Sequence, residues 1–219
     1  MLYIKRNVIL YIVASFMIVF NIYLLYKKEV DKRNLHCAIN DVKVVRDNVL
    51  SLYKLNFDVS ILNNGIYLDN LSIVDKNNIG IKLKELFRNK GKLLVCRFSE
   101  LNCQECVVYS IVKMINYSDS IKNDNIIFLG HYENNKNLNM IKKQIGIKDI
   151  ATYNCSYMST PMEELSSPYY FIVDSTLIMS DIFVPDKSFP SLTNHYLNMI
   201  KRKYFQQDKK RSIQSINVN

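Results

Sequence analysis

Only five glycines occur in this 219-residue chain, and none belongs to a glycine-rich loop that would cradle a phosphate. A nucleotide site of that kind is therefore excluded. No internal repeat is present, so an array architecture is excluded as well. The formal net charge is +9. No basic stripe interleaved with stacking aromatics accompanies it, and no nucleic-acid-binding motif. The basic residues gather near both ends, at Lys27-Lys28, Lys32-Arg33, Lys201-Arg202-Lys203 and Lys209-Lys210-Arg211. They read as solvated surface and membrane-flanking charge, and nucleic acid is not an expected partner. Ser167 has no readable His–Asp arrangement, which removes a serine hydrolase. A zinc site needs four ligands. Cys155, His131 and His195 are too scattered to complete one with a pair of cysteines, so neither a metal nor another cofactor is expected.

What is present is Cys103-Gln104-Glu105-Cys106. It follows the apolar run Leu93–Phe98 and opens a helical stretch to about Tyr117. Two thiols at this spacing can close a small disulfide ring. At a helix start the exposed N–H groups and the helix dipole favour a thiolate. A strand-to-helix position makes the motif a candidate for dithiol–disulfide exchange.

Residues Val8 to Tyr26 form a mostly apolar run broken only by Ser15 and Asn21. Its length is that needed to span a hydrocarbon core. It is longer than a cleavable signal core, and no small-x-small cleavage site follows. The expectation is an uncleaved signal-anchor. Lys5 and Arg6 precede the span, and Lys27, Lys28, Lys32 and Arg33 follow it. Counted alone, these charges would not place the body outside. The exchange motif, which suits a redox-managed compartment, does so instead. A single-pass protein with its soluble body on the extracytoplasmic (periplasmic) side is expected.

The chain divides into an N-terminal flank (1–7), the anchor (8–26), a charged juxtamembrane linker with a short helix (27–65), a folded domain (66–205) and a polar tail (206–219). Val42, Val45, Val49, Leu52 and Tyr53 recur at helical spacing. Asn63-Asn64-Gly65 and Asn89-Lys90-Gly91 are turn signals, and the stretch Lys82–Phe87 between them reads as a helix. Strands are expected at Leu93–Phe98, Asn125–Gly130, Tyr169–Val173 and Leu177–Val184, with helices at Cys103–Tyr117, Leu138–Ile145 and Leu192–Phe205. Ala151–Cys155 reads as a short edge segment. This order describes an α/β layer architecture: a central mixed sheet flanked by helices, its first two strands parallel and its last two antiparallel.

The order resembles the thioredoxin-like fold, and the body is most similar to membrane-anchored thiol–disulfide oxidoreductases of the TlpA/ResA-like branch. The resemblance covers roughly residues 66–205 and rests on three features. Cys103 and Cys106 sit at a strand-to-helix junction. Ser167-Pro168 directly precedes the strand Tyr169–Asp174, and that strand enters a tight hairpin and then a terminal helix. The spacing from Cys106 to Pro168 leaves room for an insertion between Gly146 and Ser166. The resemblance implies that Cys103 attacks, Cys106 resolves, and Ser167 and Pro168 line the partner groove, with Pro168 in a cis peptide bond. The expected partners are protein dithiols or disulfides.

Several positions depart from the family. The chain has no tryptophan, and Asn102 stands where the family has one. Arg97 stands where many thioredoxins bury an acid. Glu105, between the cysteines, should oppose thiolate formation, whereas Arg97 would favour it if its guanidinium reaches Cys103. Two other readings compete. One is a redox-inactive thioredoxin-like scaffold or binding domain. The other is a peroxiredoxin-like peroxidase, which usually wants Thr or Ser where Glu100 stands. Cys96 reads as a buried hydrophobe, Cys155 as a possible extra exchange partner for Cys103, and Cys37 as free or linking two chains.

Overall fold

The computed structural model describes residues 2–68, 71–87, 90–158 and 160–206, with side chains from residue 11 onward. The expected polar tail beyond Gln206, Asn89 of the second turn signal and the side chains of the 1–7 flank lie outside the described residues.

Helix α1, Leu2–Asn63, is a single run of 62 residues. The charged linker and separate short helix expected after the apolar run are instead continuous with it. No proline or glycine lies between Met1 and Gly65, so nothing local breaks the helix. Its apolar part is exposed, and the helix is long and apolar enough to cross a membrane. The chain divides into two compact units, Met1–Leu52 and Tyr53–Asn219.

The second unit is built on a seven-stranded sheet. Its strands are β1 (Ser72–Val74), β2 (Gly80–Lys82), β3 (Lys92–Ser99), β4 (Ile126–His131), β5 (Ala151–Cys155), β6 (Tyr169–Asp174) and β7 (Met179–Phe183). Three further helices flank it: α2 (Gln104–Ile121), α3 (Asn135–Ile145) and α4 (Pro190–Ile200). The spatial order is β2-β1-β5-β4-β3-β6-β7. Strands β3, β4 and β5 are mutually parallel, β6 is antiparallel to β3, and β7 is antiparallel to β6. The stretch expected at the sheet edge, Ala151–Cys155, is internal: β1 pairs with it on its outer side. Strand β1 falls within residues 66–74, whose short apolar patches read as candidate strands, whereas the three-residue β2 is too short to show a period in the sequence. The expected helix at Lys82–Phe87 is a 3-10 turn over Leu83–Phe87.

Alternation along β3 divides the core between the two faces of the sheet. Leu94, Cys96 and Phe98 pack with Val107, Ile111 and Met114 of α2 and Leu197 and Ile200 of α4. Leu93 and Val95 pack on the other face with Val59, Leu83, Phe87 and Met162. Each such side chain removed from water contributes roughly 1.5–3 kcal/mol. Arg97 follows the Leu93–Val95 register and so lies on the face away from α2.

Candidate active site

The turn from β3 into α2 is fixed by Asn102. Its N–H donates to the Ser99 carbonyl at 3.1 Å, and its side-chain oxygen accepts from the Ser99 N–H at 2.7 Å. Asn102 thereby sets the backbone that carries Cys103 to the N-cap of α2. Cys103 is exposed there, and Cys106, just inside the helix, is half-buried. Both are free thiols. The carbonyl of Cys103 accepts the Val107 N–H at 3.0 Å, closing the first turn.

The two thiols are driven apart in acidity. Cys103 is held below the ordinary thiol value, first by a hydrogen bond from the Cys106 thiol, then by the neighbouring N–H groups of Cys106 and Glu105, and further by the Lys187 ammonium. Cys106 is pushed up to about 11, first by burial and then by its hydrogen bond to Cys103 and the charge there. Cys103 is thus the easier of the two thiols to ionise, and Cys106 the harder.

No sequence motif marks Lys187. It lies between β7 and α4 and forms an ion pair with Glu105. The pair holds the Glu105 carboxyl below its usual range and the Lys187 ammonium above its own. The charge expected to oppose the Cys103 thiolate is thus matched by a cation. No spacing rule connects positions 105 and 187, so nothing in the sequence announces the pair.

Arg97 does not act on Cys103. Its guanidinium grips Glu163 with two bonds, Nε to Oε1 at 2.7 Å and NH2 to Oε2 at 2.6 Å. The remaining nitrogen donates to the Phe98 carbonyl and to the Cys155 sulfur, both at 3.2 Å. Tyr169 adds its hydroxyl to Glu163 at 2.8 Å. The alternation of β3 explains this, because it turns Arg97 to the face opposite α2.

The Ser167–Pro168 peptide bond is trans, since the described residues hold no cis bond. This corrects the cis geometry that the resemblance implied. The Ser167 N–H bonds to the Leu165 carbonyl at 2.5 Å, and trans is the ordinary preference of an X–Pro bond by about 0.5–1 kcal/mol. Pro168 is buried and Ser167 half-buried. Ser167, Asn102 and Arg97 meet at one small cavity of about 10 Å³, together with Glu163 and Met162. That volume is about the room one water needs.

Cys155 is buried at the end of β5. Its thiol donates to the Gly130 carbonyl at 3.3 Å and is pushed up to about 11 by burial, against the pull of Arg97. It is a satisfied interior thiol rather than an exchange partner. Cys96 is fully buried and Cys37 is exposed on α1. His131 binds the Cys155 carbonyl through Nδ1 at 2.9 Å, and His195 is exposed on α4.

No family model matches the sequence, and no curated protein matches it. Several solved structures are similar in fold. A thiol:disulfide interchange protein, DsbE, of Chlorobium tepidum is 10% identical with a TM-score of 0.48, covering 64% of this chain and 99% of its own. A PrxQ variant of Xylella fastidiosa is 12% identical with a TM-score of 0.47, covering 65% and 97%. The thioredoxin domain of a thiol-disulfide oxidoreductase of Bacteroides vulgatus is 8% identical with a TM-score of 0.44, covering 62% and 99%. With parallel β5, β4 and β3 extended by antiparallel β6 and β7, and with paired cysteines where β3 passes into α2, this chain has a thioredoxin-like fold.

Proposed function

We propose that this protein is a membrane-anchored thiol–disulfide oxidoreductase that exchanges its Cys103–Cys106 pair with protein partners. The observation that carries the reading is the split between the two thiols: Cys103 exposed and shifted down, Cys106 half-buried and shifted up to about 11. A working pair needs that asymmetry. The Cys103 thiolate attacks one sulfur of a partner disulfide. A Cys103–partner disulfide forms, the partner's own S–S bond breaks, and its released sulfur takes up a proton. Cys106 then loses its proton and attacks the Cys103 sulfur, expelling the partner's second thiolate, which is protonated in turn. Two electrons have passed to the partner, and Cys103–Cys106 is a disulfide. The reverse sequence oxidises a partner dithiol.

In this reading residues 8–26 are the anchor, 66–205 the redox domain, and Ser167 with Pro168 one wall of the partner groove. Glu100, three residues before Cys103 where a peroxidase usually has Thr or Ser, favours exchange over a peroxidase. The test is a redox titration of the full chain in detergent against graded dithiol–disulfide buffers, counting alkylated cysteines by peptide mass spectrometry. A reversible two-electron transition confined to Cys103 and Cys106 is expected. A pair that stays reduced throughout, or oxidises only by joining other cysteines, would leave the inactive scaffold as the better reading.

A further inference from the structure

The residues on either side of Cys103, Asn102 and Gln104, form part of the wall of a pocket of about 290 Å³ between α2 and α3. Its apolar lining comes from Val107, Val108, Tyr132, Met140, Ile141 and Ile145. A cavity of roughly 150 Å³ accommodates a benzene molecule, so this pocket has room for one large aromatic or branched side chain.

The wall is fixed in advance. Asn154 clamps the backbone of Tyr132 from both sides, accepting its N–H at 3.0 Å and donating to its carbonyl at 2.9 Å. The Tyr132 ring stands edge-on to Phe98, 6.1 Å between centroids. Met140, on the rim, is 63% exposed and can adapt to ligands of different shape. Among the described residues, the only charged side chain lining the pocket is Glu100, which disfavours an acidic ligand.

We propose that this pocket is a specificity subsite that takes one apolar side chain adjoining the cysteine of a partner protein. The proposal rests on the exchange reading above. Once the partner's sulfur is bonded to Cys103, the residues next to it in the partner chain come within reach of the pocket that Asn102 and Gln104 help to line. The occupant is thus a cysteine-bearing segment with a neighbouring Phe, Leu or similar residue and no adjacent acid.

The experiment uses the reduced full chain in detergent and three short peptide disulfides that differ only beside the cysteine, with Phe, Gly or Asp there. Exchange rates are read by rapid acid quench and mass spectrometry, with bis(2-hydroxyethyl) disulfide as a substrate too small to reach the pocket. The Phe peptide is expected to react about tenfold faster than the Gly peptide, the usual range for filling one apolar subsite, and the Asp peptide slowest. In Met140→Glu and in Gln144→Trp, two exposed positions of the lining, the Phe-to-Gly ratio should fall toward one. Equal Phe and Gly rates in the unaltered protein, with the small disulfide reacting, would overturn the subsite alone. So would a ratio that survives in both variants. No reaction with the small disulfide would overturn the exchange reading and the subsite together.

Discussion

At the scale of single residues, the loop after β7 brings the Lys187 ammonium to Glu105 at the start of α2, where it bears on Cys103. The consequence is measurable. Replacing Lys187 with Ala removes a cation that lowers the Cys103 value and leaves Glu105 unpaired beside it. The Cys103 value then rises, less thiolate is present at pH 7, and reaction with iodoacetamide slows. Because all these groups are exposed and solvent-screened, the expected loss is roughly twofold to fivefold. It should shrink further at high salt. Alkylation rates of Cys103 from pH 5 to 10 give the check: the midpoint in Lys187→Ala should lie above that of the unaltered protein, and an identical midpoint would remove Lys187 from the tuning.

At the scale of elements, the β3–α2–β4–α3 alternation and the β6–β7 hairpin are legible from the sequence because each is long enough to show its period. Strand β2 and the interior position of β5 are not, and β1 shows only as apolar patches within residues 66–74. The least legible element is the 3-10 turn Pro161–Glu164, whose role depends on one long-range ion pair. It is tied to β3 by Arg97 and Glu163, whose side chains are only 1% and 5% exposed. Glu163→Gln leaves a buried guanidinium without its counter-charge, and losing one member of such a pair costs about 3–5 kcal/mol. The double change Arg97→Met with Glu163→Leu removes both charges and should cost less than Glu163→Gln alone. Urea unfolding of the three proteins checks this. If the double variant is instead the least stable, the pair is a net stabiliser and not merely a matched burial.

For the whole molecule, the membrane span and its flanking charges bear on the side the thiols face. The span Val8–Tyr26, at about 1.5 Å per residue, has the length of a bilayer's hydrocarbon core, and its described side chains lie exposed on α1. Such a segment should hold the protein in the membrane fraction through carbonate and high-salt washes, with release only by detergent. The basic residues beyond the span outnumber those before it, so on charge alone the body would remain inside. The exchange reading favours the opposite, because an exchange pair on a membrane tether suits an oxidising or redox-managed compartment. A membrane-impermeant maleimide applied to intact cells separates the two. Labelling of Cys103 without lysis is expected, with buried Cys96 and Cys155 unlabelled. Cys103 should react because it is exposed and carries the lowered thiol value. Labelling of Cys103 only after lysis would place the body with the positive flank, and the anchored exchange role would then need a cytoplasmic partner.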